Sequence, residues 1–344
     1  MPPPPLAPPE MYRTSVIMPA LENLPAPSEF LRQKLFSRTF TTTADQIDAR
    51  TYLGNSRVAP YCSRFSKGHA VARAPEQLTL LSPPFIKVVR SLTADDVFYR
   101  SAPGNENRDA QLLVRDLVEL SNQIGRREEW AVAQTLFTGG WIARDGDTNE
   151  IIAEISYGTP NVAVPAVLWS VPATCKPLDD LKSAQRLVAG SCGFSADFIL
   201  FGKDAGDAFE NATQVLNAYD KQNISPGMIT PELAEFGVTL LGQYRGTPLY
   251  VSETQYTDIV DGSKKYYVPA DTVLVAATGL QGTLSFAGIV QVDEEETRME
   301  ALEGPRIPMV WYEKGEDYRK VRLSSRPAPV PAAGVTSWTL LKPI

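Results

Sequence analysis

Apolar residues recur along this chain with two periods, and the changes between them mark its elements. Between Asn107 and Thr138, Leu113, Leu117, Leu120, Ile124 and Ala131 follow spacings of four, three, four and seven, while Arg108, Arg115, Arg126 and Arg127 fall largely off that stripe. This predicts one long amphipathic helix, a strut longer than the globular mean, stopped by Gly139-Gly140. Earlier, "SEFLRQKLFSR" (28–38) opens on a serine suited to a cap and sets Phe30, Leu31, Leu35 and Phe36 at helical spacings. It reads as a short amphipathic helix in an N-terminal arm that has no domain of its own. "GHAVARAPEQLTLLSPPFIKVVR" (68–90) instead alternates apolar and polar positions on both sides of Pro75 and Glu76, which predicts a long hairpin with its tip there. Pro83 and Pro84 cannot donate to a ladder, so the returning strand must be bulged or at an edge.

Beyond the long helix the two periods mix. "PLDDLKSAQRLVAG" (177–190) has proline at its start, aspartates in its first turn and glycine at its end, all helix signals. "DFILFG" (197–202) reads as a buried strand and 204–220 as a second helix, followed by strands at 237–244, 247–253, 264–268 and 272–277. Asp261-Gly262 supplies a tight reversal, and Pro269 belongs at a strand end. The tail returns to strands in "TLSFAGIVQVD", "PMVWYEKG", "YRKVRLSS" and "TSWTLLK". No internal repeat is visible.

Composition narrows the function. At 344 residues and 43% hydrophobic, the chain has material for two or three cores. A formal charge of −7 argues against avid binding of nucleic acid along a basic face, though it suits a surface that tolerates DNA without sticking to it. Cys62, Cys175 and Cys192 are odd in number and lack close pairing, so free thiols in a reducing compartment are expected rather than disulfides or a zinc site. "MPPPPLAPPEMYR" lacks the basic-then-apolar order of a signal peptide; its proline run reads as extended or disordered. No stretch has the length of a membrane span.

Residues that could carry chemistry each have a plainer reading. His69 is the single histidine, so a Cys-His or Ser-His-Asp site would need it, yet it lies on the predicted hairpin, far along the chain from the "GSCGFS" turn (190–195). Cys192 therefore reads as a structural thiol. "FGKDAG" (201–206) has the Gly-Lys pair of a phosphate loop, but Asp197 and Asp204 occupy the positions where glycine and Ser or Thr are needed. "DEEE" (293–296) offers oxygens to a hard cation; consecutive carboxylates at a strand end point in opposite directions, which favours a solvated rim. Tryptophans 130, 141, 169, 311 and 338 read as core or interface anchors rather than base-stacking platforms. No cofactor is expected.

The order of elements, and the stretch "YVSETQYTDIVDGSKKYYVPADTVLVAATGLQGTLSFAGI" (250–289) in particular, resembles the lambda-like major capsid protein E family of tailed bacteriophages, with the Hong Kong 97 fold. The carrying residues are a strand at Tyr250–Tyr256, the turn at Asp261-Gly262, and Pro269-Ala270-Asp271-Thr272 before Val273–Ala277. "REEWAVAQTLFTGG" (127–140), leaving the long helix toward Trp141, and "SEFLRQKLFSRTFTT" (28–42) add to the likeness, which runs from about Ser28 to the C-terminus. The proline-rich first ten residues depart from the family pattern.

The resemblance implies an α+β fold: an N-terminal arm (1–40), a peripheral domain begun at 41–65, an extended hairpin loop (66–91), a peripheral domain with a spine helix (92–159), an axial domain (160–285) and closing peripheral strands (286–344). It implies a non-enzymatic shell subunit of the virion, made in the bacterial cytoplasm and assembled as hexamers and pentamers around double-stranded DNA. Portal protein, scaffold, head maturation protease and a decoration protein would be its partners. Arm and hairpin would reach neighbours through Phe30, Leu31, Leu35, Phe36, Lys67, Leu78, Leu80, Leu81 and Phe85. Some shells of this fold join subunits covalently through a hairpin lysine; Lys67 and Lys87 match no such pair and read as solvated or salt-bridged. Two rivals stand beside this reading: an encapsulin-type cellular compartment shell, and a carboxylate-dependent hydrolase built on the acids of 293–300.

Overall fold

A computed structural model describes residues 17–18, 29–52, 76–93, 106–146, 148–220, 225–226, 237–258, 262–292, 299–312 and 318–344. Its largest element is the predicted strut, the spine helix Glu106–Thr138, whose 33 residues extend about 50 Å at roughly 1.5 Å per residue. The stripe read from the sequence is buried, but against two different partners. Leu113, Leu117, Leu120 and Ile124 pack on Val321 and Leu323 of a closing strand and on Ile17. About two turns further, Ala131 packs with Ala49, Leu81 and Trp141, while Val132, Ala133 and Leu136 beside it join the core beneath the large sheet. The helix stops because Gly139 adopts φ +79° and the chain must pass close to its neighbour: a Cβ there would sit 1.9 Å from the Gly158 carbonyl oxygen.

The large sheet has seven strands in the order 161–163, 338–341, 273–276, 198–202, 247–252, 238–244 and 225–226. Its central strand Phe198–Gly202 is buried throughout, as a run flanked on both faces must be. On one face lie the helices Pro177–Cys192, Lys203–Glu210 and Thr213–Asp220, closing a core around Trp169, Leu181, Phe201 and Phe209. The other face, through Phe198, Leu200, Leu274 and Leu340, meets the spine helix and the arm. The helix expected over 204–220 is thus two helices with a break at Asn211-Ala212.

The "FGKDAG" turn is a strand-to-helix corner. Gly202 precedes the helix Lys203–Glu210, and its N–H donates to the Thr272 carbonyl at 2.9 Å. A Cβ on Gly202 would lie 2.1 Å from the Pro269 carbonyl oxygen. The Pro269–Thr272 step and Gly202 are therefore two halves of one close backbone crossing, with no room for a phosphate.

The remaining strands are shared among several smaller sheets. The returning strand expected after Pro75-Glu76 is two strands: Glu76–Leu81 pairs antiparallel with Ile47–Tyr52, while Ile86–Thr93 joins Tyr318–Ser325 in another sheet. Residues 68–75, read as the hairpin's first strand, lie outside the described residues. Pro83 and Pro84 are where the chain leaves one sheet for the other, since neither can extend a ladder. The closing segment also divides. Trp338–Leu341 pairs with Val273–Ala276 inside the seven-stranded sheet, whereas 307–312 and 318–325 remain with the spine helix. Finally, the arm continues into Arg38–Thr41, which pairs in parallel with Thr283–Phe286; Pro327–Val330 closes that sheet from the other side, its prolines on an edge.

Candidate intersubunit surfaces and the buried hubs behind them

The arm is fastened to its own chain. Its helix, Phe30–Leu35, is six residues long, too short to persist alone in water. Phe30, Leu31, Leu35 and Phe36 are all buried, among Val132, Ala133 and Leu136 of the spine helix and Phe198 and Tyr250 of the sheet. The Phe30 ring lies 5.9 Å from Phe198 and 5.3 Å, edge-on, from Tyr250. The expectation that these four residues await a neighbour is therefore corrected: the spine helix and sheet supply the apolar layer that cannot be seen from the arm's sequence.

Charge completes this junction. The Glu129 carboxylate, projecting from the spine helix, accepts from the Leu31 N–H at 2.8 Å and the Arg32 N–H at 3.1 Å, satisfying donors that a helix start leaves open. Glu128, fully buried, accepts from Arg32 at 3.0 Å and from both terminal nitrogens, Nη1 and Nη2, of Arg306. Arg32 also binds Glu29. Burial pushes the Glu129 carboxyl up to about 7. Burial, reinforced by the neighbouring Glu128 charge, pushes Glu29 up to about 8. One Glu29 oxygen, Oε1, has no hydrogen-bond partner among the described residues, which suits a neutral acid better than a carboxylate.

The base of the paired strands 47–52 and 76–81 is organised by a second arginine. Arg326, 3% exposed, donates from Nε to the Pro83 carbonyl at 3.0 Å and from Nη1 to the Gly288 carbonyl and Asp45 Oδ1, both at 2.8 Å. Its guanidinium also lies 4.3 Å from the centre of the Phe85 ring. One buried side chain thus ties the arm's exit, the hairpin's return and a closing strand.

The other predicted contact residues separate by environment. Leu81 is buried with Ala49, Ala131 and Trp141 in its own chain. Leu80 is 59% exposed and Phe85 47% exposed, and Lys87 Nζ lies 4.7 Å above the Phe85 ring. Lys67 and the Leu78 side chain lie outside the described residues, as do Cys62, His69 and the 293–296 acids. An exposed apolar run missed from the sequence is Val162, Val164, Val167, Leu168 and Val171, on and beside the edge strand of the large sheet. Its signal was present: "NVAVPAVLW" has no charge, but a stretch like this reads equally well as core.

Among the described residues, the groups that could carry chemistry have structural partners. Cys192 is half-buried, its Sγ 3.1 Å from the Val188 carbonyl of its own helix. Among the described residues no three His, Cys, Asp or Glu side chains come together as a metal site. Trp169 and Trp338 are buried; the first donates to Asp180 and the second to the Leu136 carbonyl, so both are anchors within the chain. Among the described residues no helix is long and apolar enough to cross a membrane.

A long strut crossing beneath a helix-covered sheet, with an arm and a two-stranded projection rooted at its flank, is the Hong Kong 97 type of capsid fold, and solved structures share it. A prophage protein of Escherichia coli CFT073 described as a capsid protein is similar at a TM-score of 0.71 and 20% identity, over 96% of this chain and 99% of that one. A phage-related protein of Bordetella bronchiseptica RB50 gives 0.54 at 11% identity, over 95% and 96%. The capsid of cyanophage A-1(L) gives 0.53 at 13%, over 94% of each chain. No curated protein sequence matches. The model of the family phage major capsid protein E matches residues 13–337, and the chain belongs to that family. It is a capsid protein, a building block of a phage's icosahedral shell.

Proposed function

We propose that this chain assembles into hexamers and pentamers that enclose double-stranded DNA in the head of a tailed phage, and that it acts without catalysis. The seven-stranded sheet region would face the centre of each capsomer as an axial domain, with the spine helix and the sheet of 307–312, 318–325 and 86–93 forming the periphery. The family match over residues 13–337 carries this reading. It is supported by apolar side chains left outside at Leu80, Phe85 and the 162–171 run, a distribution suited to copies packing together. The family match favours a phage shell over an encapsulin-type compartment. Portal, scaffold, maturation protease and a decoration protein are proposed partners, and the host cytoplasm the place of synthesis.

Expression of the chain, with its scaffold where needed, should yield closed shells in electron micrographs. Boiled in denaturant, these should run as single chains of 37.7 kDa or slightly less, without a ladder of linked rings. Only monomers at every concentration would count against the shell. A ladder abolished by Lys67→Ala would show covalent joining instead.

A further inference from the structure

One groove is not used by anything above. It has a volume of about 600 Å³ and lies between the second half of the spine helix, the hairpin of 140–144 and 151–156, and the small ribbon of 255–257 and 264–266. Its lining is mostly polar, and it includes the charged residues Arg127, Arg144, Asp145, Glu154, Asp258 and Lys265. Most of these are engaged within the chain. Lys265 pairs with Asp258, Arg144 donates from Nη1 to the Asn149 carbonyl at 3.2 Å, and Asp145 Oδ1 accepts from the Thr148 N–H at 3.2 Å. Arg127 is the exception among the cations. Its guanidinium lies 4.0 Å from the centre of the Trp130 ring, and Trp130 Nε1 in turn donates to the Tyr256 hydroxyl at 3.2 Å. The ring covers one face of the guanidinium and fixes its plane.

The donors of that plane are left open. Among the described residues none of the Arg127 N–H groups has a hydrogen-bond or ion-pair partner. The side chain is half-buried, and burial holds the guanidinium below its ordinary value, with Asp258 and Tyr256 acting the other way. A cation drawn partly out of water with unused donors gains more from an anion than a solvated one does. A planar fork of N–H groups fits a carboxylate through two parallel bonds. The walls select against higher charge. Glu154, exposed on the strand opposite Ile142, lines the groove with Asp145 and Asp258, and these acids would repel a dianion or polyanion. We propose that this groove is a carboxylate-binding site anchored by Arg127, selective for a single carboxylate over phosphate. The carboxylate is carried by a small molecule, for which the volume falls in the usual range of roughly 300–1,000 Å³, or by an acidic side chain of a second copy. Both present the same chemistry to Arg127.

The site does not depend on shell formation, so it is tested in the dilute, unassembled full chain. Sodium acetate is the probe, against sodium chloride at matched ionic strength. The Trp130 indole N–H signal, identified by its absence in Trp130→Phe, is followed by NMR because Arg127 lies on that ring. Acetate should move it saturably in the millimolar range, chloride should not, and inorganic phosphate should bind more weakly than acetate. Arg127→Gln should weaken acetate by about tenfold or more, since bonds to a charged group are lost. Arg127→Lys keeps the charge without the planar fork, and should weaken acetate while leaving the melting temperature unchanged. Glu154→Gln, an exposed change, should improve phosphate by up to about fivefold, and acetate by less. Raising the chain concentration without acetate separates the two sources. Drift of the signal to its acetate-bound position identifies a second copy, and a fixed signal identifies a free carboxylate. No saturable shift with acetate, or an equal shift with chloride, would overturn the proposal. So would phosphate binding as tightly as acetate, or undiminished acetate binding in both Arg127 variants.

Discussion

The arm junction and the hairpin base are built on opposite plans, although the sequence makes both look like parts that reach outward. At the junction the apolar strip is internal: Phe30, Leu31, Leu35 and Phe36 are buried in the same chain, and three carboxylates of Glu29, Glu128 and Glu129 face the guanidiniums of Arg32 and Arg306. At the hairpin the apolar side chains divide, Leu81 inward and Leu80 and Phe85 outward, and a single buried Arg326 holds the base. A strip that is filled from within transmits force between arm and spine helix. A strand pair pinned at its root by Arg326 leaves Leu80 and Phe85 for something else. An amphipathic pattern shows that a face will be covered, but not by which chain.

The most damaging change should be to the junction. Leu35→Ser with Phe36→Ser removes two side chains of which each is at most 6% exposed. Large-to-small core replacements cost about 2–5 kcal/mol each, so the pair should lose on the order of 5 kcal/mol, near the whole stability of an ordinary domain. The double variant should unfold at far lower denaturant, or be recovered insoluble. A variant with native melting that merely failed to assemble would return these residues to the role of contacts between copies.

Arg326→Leu comes next. It abandons the carbonyls of Pro83 and Gly288, and each buried acceptor left unmet costs about 1–3 kcal/mol. A loss of roughly 3 kcal/mol in chemical unfolding is expected, with earlier proteolysis near residues 82–85. The ion pair to Asp45 should contribute little, because that carboxylate is 71% exposed. Asp45→Asn should accordingly be nearly silent, and an equal loss in both variants would show that charge, rather than the carbonyl bonds, fixes the base.

How far the sequence discloses these two regions follows from what each depends on. The spine helix is legible because a 3-4 spacing without proline is local information, and its stop is legible from Gly139-Gly140. The Pro269–Thr272 step is legible for the same reason. Strand partners are not: the alternation of Glu76–Leu81 does not say that it pairs with Ile47–Tyr52, and only long-range packing chooses. Trp338–Leu341 reads as a strand, yet nothing local says that it enters the seven-stranded sheet. Glu128 and Glu129 look like an ordinary solvated pair. Their burial depends on Arg306, 178 positions away from Glu128.

The pH response should separate the two regions further. Glu29 and Glu129 have carboxyl values raised by burial to about 8 and about 7, above the ordinary value of 4.5. A raised folded value means that folding favours the protonated form. The stabilising contribution is then complete below about pH 4.5 and is lost as pH rises through 7 and 8. The facing groups are Glu128, Arg32 and Arg306, with Tyr267 and Arg126 alongside. These neighbours do not reverse the sign. Cleavage of the arm by protease should therefore speed up between pH 6 and 9, while the hairpin base should be indifferent. Glu29→Gln keeps an oxygen for Arg32 and puts an amide where the carboxyl proton would be, so it should flatten the alkaline rise. An unchanged slope in that variant would move the effect to Glu129.

The smallest effect on the single chain should be at Leu80, and it is the change that best tells an internal face from an external one. Its side chain is 59% exposed, and surface substitutions of that kind usually shift stability by less than about 0.5 kcal/mol. Deleting Ala74–Leu80 would confuse matters, because it removes most of a strand paired with Ile47–Tyr52. Leu80→Ser leaves the ladder intact and removes only the outward apolar surface. Its chemical unfolding should match the parent. If Leu80 is covered in the assembled shell, the small loss recurs at every copy, and particles should release DNA at lower temperature or under milder osmotic shock. Phe85→Ser should act in the same direction but with some loss in the isolated chain, since its ring also lies against Arg326. Shells of parental robustness from Leu80→Ser would mean that this side chain stays in solvent after assembly. The hairpin's hold on a neighbour would then have to come from elsewhere along it.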